Sequence, residues 1–333
     1  MENRFLKEKL NLGLLYDDDT LHVAFGVDKN YFKYVGVVIT SILEHNDNCY
    51  FHILIDSAEK NDVEKIEKTM NKYGSGCSIY FINDECLSGL KTTLAWSRAT
   101  YYRLMLGEIL PDNVGNVLYL DADILCLGKL DDVRSCSDLI DKIAVVPDPT
   151  PDEELDIRKK NIGMDLDSVY FCAGVMVLYP KKWKECNAFA RMMDLLENNN
   201  YPYLDQDALN IYFADNKIFL PFRYNVYRHL YEDNKDAVLL HFVGTKPWCT
   251  FFEHSEQALW LSYLQKSYWN FDEVCIQPRT ATEWRIYSKI LKGKCKYRKA
   301  FVAHGKYLKK KIINIVKRRK EPDWFKFPSS NKK

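Results

Sequence analysis

The chain has 333 residues, 47% hydrophobic, 14% aromatic and 28% charged, with 47 Lys or Arg against 46 Asp or Glu. This is enough for one large α/β domain with an ample core and excludes a largely disordered chain. No run reaches the roughly eighteen apolar residues that span a bilayer, and Met1 to Thr20 is too charged for a signal-peptide core, so a cytoplasmic location is expected.

The element series begins with a strand at His22 to Gly26, which enters Val27-Asp28-Lys29-Asn30-Tyr31; Tyr34 to Leu43 then reads as a helix. Phe51 to Ile55 is a second strand. Ala58 to Lys72 is a charged helix with Val63, Ile66 and Met70 on one face. Cys77 to Ile82 is a third strand, and Ala95 to Leu106 reads as a helix ended by Pro111. Val117 to Leu120 is a strand that stops abruptly at Asp121-Ala122-Asp123, and Ile143 to Val146 is another. Residues 150–167 run polar, acidic, then basic, which reads as a long mobile excursion. Val169 to Leu178 is apolar around Gly174, Trp183 to Leu196 has helical spacing, and Asp205 to Phe213 reads as a short helix capped by an Asp. Val238 to Val243 is a late strand carrying His241 into a turn. Alternating β and α units predict an α/β fold with a doubly wound, mainly parallel sheet. A catalytic domain over residues 1–270 and a C-terminal appendage over 271–333 is the simplest partition.

The carboxyl end of a strand is where open α/β sheets hold ligands, and the paired carboxylates of Asp121 and Asp123 suit Mg²⁺ or Mn²⁺ gripping a phosphate. A lone Asp-x-Asp is more often a solvated turn or helix cap. Neither a dinucleotide fingerprint nor a P-loop is present, so phosphate falls to metal and side chains. His241 can supply a nitrogen ligand and Lys246 a diphosphate counter-charge; alternatively they are a core histidine and a surface lysine. Arg98 and Arg103 stand five apart, the ordinary pattern of solvated salt bridges. Asp205-Gln206-Asp207 reads either as a helix start, with acids near the positive dipole end, or as planar groups for sugar hydroxyls.

In order, Phe25-Gly26-Val27-Asp28-Lys29-Asn30-Tyr31, Ser97-Arg98-Ala99-Thr100-Tyr101-Tyr102-Arg103, Leu118-Tyr119-Leu120-Asp121-Ala122-Asp123, Asp205-Gln206-Asp207 and His241-Phe242-Val243-Gly244-Thr245-Lys246-Pro247-Trp248 resemble glycosyltransferase family 8. That family includes glycogenin and the bacterial lipopolysaccharide α-galactosyl- and α-glucosyltransferases. The resemblance implies a GT-A fold, a UDP-glucose or UDP-galactose donor, a saccharide acceptor such as a lipopolysaccharide core, Mn²⁺ or Mg²⁺, and retention of anomeric configuration. It implies Asp121, Asp123 and His241 as metal ligands. Gly26, Asp28, Asn30 and Tyr31 would serve the uridine, with Ala122 also in the donor site, and Gly244 and Lys246 the diphosphate. Arg98, Asp205 and Gln206 would be the catalytic, sugar-holding residues. Two positions depart from the family. Phe171-Cys172-Ala173-Gly174 has a thiol where the family usually has Asn, and Gly244 and Lys246 stand one residue closer than in many relatives. Gln206 is the nearest polar group to the reacting face, and double displacement and front-face attack both remain open. A glycogenin-like self-glucosylating enzyme and an inactive nucleotide-sugar-binding scaffold are the alternatives.

Ten scattered cysteines lack any Cys-x-x-Cys spacing and read as reduced thiols. Charge is segregated: residues 289–320 hold fourteen Lys or Arg and no acid, leaving 30 basic against 44 acidic residues in 1–288. Interleaved Phe301, Val302, Leu308, Ile312, Ile313, Ile315 and Val316, then Trp324, Phe325 and Phe327, suit an anionic inner membrane leaflet. A solvated basic helix is the other reading, and no nucleic-acid motif accompanies the charge.

Overall fold

The computed structural model describes residues 3–93, 96–136, 139, 142–251 and 255–316. The chain divides into two compact units, Met1–His241 and Phe242–Lys333. This division by contact precedes the 270/271 division by charge, because Trp248 packs against Trp260 within the second unit, their ring centroids 5.8 Å apart.

The first unit opens with β1 (Leu6–Gly13), β2 (Leu21–Val27), helix α1 (Phe32–Leu43), β3 (Cys49–Ile55), α2 (Lys60–Tyr73) and β4 (Gly76–Ile82). Every residue of α1 except Lys33 is buried. A 3₁₀ segment, Arg98–Met105, leads into α3 (Leu106–Ile109), β5 (Val117–Leu120), β6 (Ile124–Cys126), α4 (Asp131–Arg134) and β7 (Ile143–Pro147). Then follow α5 (Asp152–Ile162), β8 (Phe171–Leu178), α6 (Pro180–Glu185), α7 (Ala188–Asn198) and α8 (Asp205–Tyr212). The unit closes with β9 (Lys217–Phe219), β10 (Val226–Tyr227) and β11 (Leu239–His241). The main sheet has the order β1-β4-β3-β2-β5-β8-β7-β9. Strands β2, β3, β4 and β5 are parallel, β8 lies antiparallel between β5 and β7, and β1 is an antiparallel edge. The fold is α/β, a mostly parallel sheet with flanking helices. β10, β11 and β6 form a second, three-stranded sheet.

Five local expectations are corrected. Strand β1 precedes the expected first strand; its Lys7, Glu8 and Lys9 are exposed, a composition suited to a protected sheet edge. Within the segment expected as one helix to Leu106, Ala95 lies outside the described residues and 98–105 is 3₁₀. It packs so close to the sheet that a methyl on Gly26 would stand 3.0 Å from Cβ of Tyr102. The expected mobile excursion contains α5, whose first turn holds Asp152, Glu153 and Glu154 and whose last holds Lys159 and Lys160, each charge opposing its end of the helix dipole. Trp183 to Leu196 is split between α6 and α7 at Asn187, which takes φ +52°. Helix α8 has no Asp cap: Leu204 precedes it at φ +51°, and Asp205 is its first residue.

The second unit contains α9 (Gln257–Lys266), α10 (Phe271–Val274), α11 (Ala281–Gly293) and α12 (Tyr297–Val316). Thr280 and Glu283 form a capping box that starts α11. Leu291, Ala300 and Ala303 with Trp284 and Tyr287 join α11 to α12, and Lys306 lies over the Trp284 ring at 4.4 Å. Phe301, Val302, Leu308, Ile312, Ile315 and Val316 of α12 are exposed. Trp324, Phe325 and Phe327 lie outside the described residues.

Candidate active site

The order of the main sheet reverses between β2 and β5, so the crevice beyond their carboxyl ends is the topological switch point where such sheets bind ligands. Asp28 follows β2 there, and Asp121 follows β5. The residues Asp121-Ala122-Asp123 also form the turn by which the chain leaves the main sheet for the small one, closed by the Ile124 amide donating to the Asp121 carbonyl at 3.2 Å. Antiparallel pairing of β11 with β6 sets His241 opposite Ile124. Ligand atoms of Asp121, Asp123 and His241 consequently lie within 4.8 Å of one another.

His241 is 4% exposed. Its Nε2 stands 3.3 Å from Oδ1 of Asp123, its Nδ1 is 2.9 Å from Oδ1 of Asn225, and the ring packs against Tyr227. An amide oxygen only accepts, so Asn225 takes the Nδ1 proton and leaves Nε2 facing the carboxylates, the usual way an outer partner orients a ligating imidazole. Burial opposes charging of His241, but Asp123 and the nearby Cys172 outweigh it and raise its pKa to about 10. A methyl on Gly174 would lie 2.5 Å from Cε1 of His241 and 3.0 Å from Oδ2 of Asp121. Only glycine lets these two groups approach across β8. Two carboxylates and an imidazole, with this space kept clear between them, form a donor set that fits a divalent cation.

Around this centre, Asp28 accepts from the Asn30 amide at 2.9 Å and from the Ser97 hydroxyl at 2.7 Å. Tyr31 sits at the start of α1, its ring against Tyr34, and Ala122 is buried. Arg98 is half-exposed, 3.4 Å from Asp84. Asp205 is 3% exposed and accepts from the Thr100 hydroxyl at 2.9 Å; burial pushes its carboxyl up to about 6 despite Arg103 beside it. Gln206 accepts from the Ala173 amide at 3.0 Å and donates to the Tyr170 hydroxyl at 3.2 Å. Tyr170 gives its own proton to Asp207 at 2.6 Å, so it can only accept from Gln206, and the orientation of the Gln206 amide is fixed from both sides. Gly244 and Lys246 belong to the second unit, where Gly244 takes φ +83° and Lys246 Nζ donates to the Phe242 carbonyl at 3.1 Å.

Sequence reasoning gave no role to several residues that build this site. Arg103 was expected in a solvated salt bridge; it is 7% exposed and meets both Asp121 and Asp205. Asp56 accepts from the amides of Lys29 and Ser57, holding the loop after β2. Asn225 lies in no quoted motif, and Tyr119, inside the Leu118–Asp123 motif, was given no role of its own. The signal for Asp56 and Asp84 was available: each is a carboxylate just beyond the carboxyl end of a parallel strand.

A family model described as Glycosyl transferase family 8 matches residues 22–250. The lipopolysaccharide 1,2-glucosyltransferase of Escherichia coli strain K12 is 31% identical over 304 residues, 86% of this chain and 87% of that one. The lipopolysaccharide 1,3-galactosyltransferase of Salmonella typhimurium strain LT2 is 27% identical over 317 residues, 89% of this chain and 93% of that one. Among solved structures, the galactosyltransferase LgtC in complex with donor and acceptor sugar analogues superimposes with a TM-score of 0.65 at 24% identity, covering 75% of this chain and 97% of that one. This likeness supports the GT-A fold. With the family model spanning more than half of the sequence, the chain belongs to glycosyl transferase family 8.

Proposed function

We propose that the protein transfers glucose or galactose from a UDP-sugar to a saccharide, with retention of anomeric configuration, at a divalent-metal centre formed by Asp121, Asp123 and His241. The observation that carries this is the convergence of those three residues at the sheet's switch point in a family 8 chain. An imidazole beside two carboxylates favours Mn²⁺ over Mg²⁺, which prefers oxygen ligands alone. When bound, the cation supplies electrostatic stabilisation of charge developing on the departing diphosphate.

The chain's own residues divide the remaining work. Gly26, Asp28, Asn30 and Tyr31 take the uridine, Ser97 and Asp56 hold that loop, and Ala122 lines the donor site between the metal ligands. Gly244 and Lys246 serve the diphosphate, while Arg98, Asp205 and Gln206 orient the sugar. The Gln206 amide oxygen, held by Ala173, is a weak nucleophile of fixed direction. In a front-face route the leaving diphosphate takes the acceptor hydroxyl's proton, and no separate base is required.

The acceptor we propose is a lipid-linked saccharide such as a lipopolysaccharide core, a reading supported by relatives that are lipopolysaccharide glucosyl- and galactosyltransferases. No described helix is long and apolar enough to cross a membrane. The basic helix α12, with exposed apolar side chains among its lysines, suits peripheral binding to an anionic bilayer, which would place the enzyme on the cytoplasmic face of the plasma membrane. Asp123→Ala should abolish Mn²⁺-dependent turnover of UDP-glucose and UDP-galactose. Turnover equal to that of the unsubstituted protein would remove the metal assignment.

A further inference from the structure

Arg103 is a buried cation whose guanidinium is spread over two carboxylates and two carbonyls. Nη2 lies 3.0 Å from Oδ1 of Asp121, and Nη1 donates to the Ala173 carbonyl at 2.6 Å. Nε donates to the Thr100 carbonyl at 3.1 Å and stands 2.9 Å from Oδ2 of Asp205. Its Cζ lies over the Tyr119 ring, 4.7 Å from the centroid. Burying one charge this completely is costly unless it is compensated; here the Thr100 and Ala173 carbonyls accept hydrogen bonds, and Asp121 and Asp205 supply opposite charge by proximity.

Two consequences follow for the metal centre. Oδ1 of Asp121 receives both Arg103 and the Tyr119 hydroxyl, the latter also at 3.0 Å. That oxygen is thereby engaged by one hydrogen bond, from Tyr119, and one ion pair, with Arg103, while Oδ2 is the oxygen turned toward Gly174, on the His241 side. Asp121 is therefore held to present a single oxygen. The second consequence concerns residue Ala173, whose carbonyl accepts from Arg103 and whose amide, on the preceding peptide group, donates to Gln206. One guanidinium thus holds both the carboxylate of the metal centre and, through its carbonyl, the residue whose amide aims Gln206, with Asp205 as its second counter-charge.

We propose that Arg103 is a positioning residue of the centre: it selects which oxygen of Asp121 meets the cation, and keeps Asp205 and Ala173 in register with it. This rests on the metal assignment made above. Lysine keeps the charge but has no planar fork, so it cannot reproduce the arrangement.

The test is direct binding of Mn²⁺ alone to the full chain, read from loss of the free-ion EPR signal, with thermal melting as the folding control. Arg103→Lys should weaken binding by roughly 10–100-fold, as loss of outer partners of metal ligands does. Tyr119→Phe, which alters no charge, should weaken it by about fivefold. Folded Arg103→Lys protein that binds Mn²⁺ within about twofold of the unsubstituted chain overturns the inference. Should Arg103→Lys not fold, Tyr119→Phe decides: weakened binding supports the inference and unchanged binding overturns it. Asp123→Asn separates the two levels. Loss of binding there, with none in Arg103→Lys, overturns only the role of Arg103; binding retained in Asp123→Asn removes the metal reading and this inference with it.

Discussion

A single methyl group at position 174 would collide with two of the proposed metal ligands, at 2.5 Å from Cε1 of His241 and 3.0 Å from Oδ2 of Asp121. Gly174→Ala should lower sugar-transfer turnover by about 100-fold, the cost of displacing reacting groups by around 1 Å. Kinetics at saturating Mn²⁺ would check this, and undiminished turnover would show that the three residues are not the seat of chemistry. At this scale the sequence was unequal in what it disclosed. Asp121 and Asp123 were legible because two carboxylates beyond an apolar strand form a local pattern. His241 became legible through the family's order of motifs. Arg103 was not, since its burial and both of its carboxylate partners arise only when β5, β8 and α8 converge. Cys172 was legible as a departure; the fold sets its sulfur 3.9 Å from Nδ1 of His241, beside the centre rather than remote from it.

Parallel strands β2, β3 and β4 carry a different device on one face of the sheet. Nδ1 of His22 is 3.0 Å from Nε2 of His52, whose Nδ1 is 3.1 Å from the Tyr80 hydroxyl. Burial depresses His22 to about 4 and His52 well below its ordinary value. The unfolded chain therefore takes up protons on both histidines below about pH 6.5, whereas the fold refuses the one on His22 until about pH 4 and holds off the one on His52 well below its ordinary range. Stability from this pair is complete above the unfolded pKa and declines as pH falls through that window, by up to roughly 1.4 kcal/mol per residue per pH unit. Melting temperature against pH should fall less steeply for His52→Phe than for the unsubstituted protein; parallel curves would contradict this. The strands themselves were readable because both faces are covered, leaving nearly continuous apolar runs in β2 and β3. Edge strand β1 is hard to read because its exposed positions are charged or polar apart from Gly13, and α5 because its acid-to-base gradient resembles that of a polar loop.

Over the whole chain, charge is divided between an acidic majority, 30 basic against 44 acidic residues in 1–288, and a stretch at 289–320 with fourteen basic residues and no acid. Helix α12 exposes Lys309, Lys310 and Lys311 beside Leu308 and Ile312. Each basic residue near an anionic surface contributes about 1 kcal/mol, so replacing these three lysines by Gln should weaken binding to phosphatidylserine-containing vesicles by about 100-fold. Sedimentation would check it, and unchanged binding would exclude α12 as the contact. The α/β class and mainly parallel sheet were evident from alternating elements, whereas the three-stranded sheet was not, because its strands are two or three residues long. That sheet brings His241 to the two aspartates, and the central claim rests on it. The most direct measurement is release of UDP from UDP-glucose and UDP-galactose by the full chain, before and after EDTA treatment and again after added Mn²⁺. The predicted result is turnover of at least one donor that EDTA abolishes and Mn²⁺ restores; turnover that survives EDTA undiminished would contradict the assignment of Asp121, Asp123 and His241.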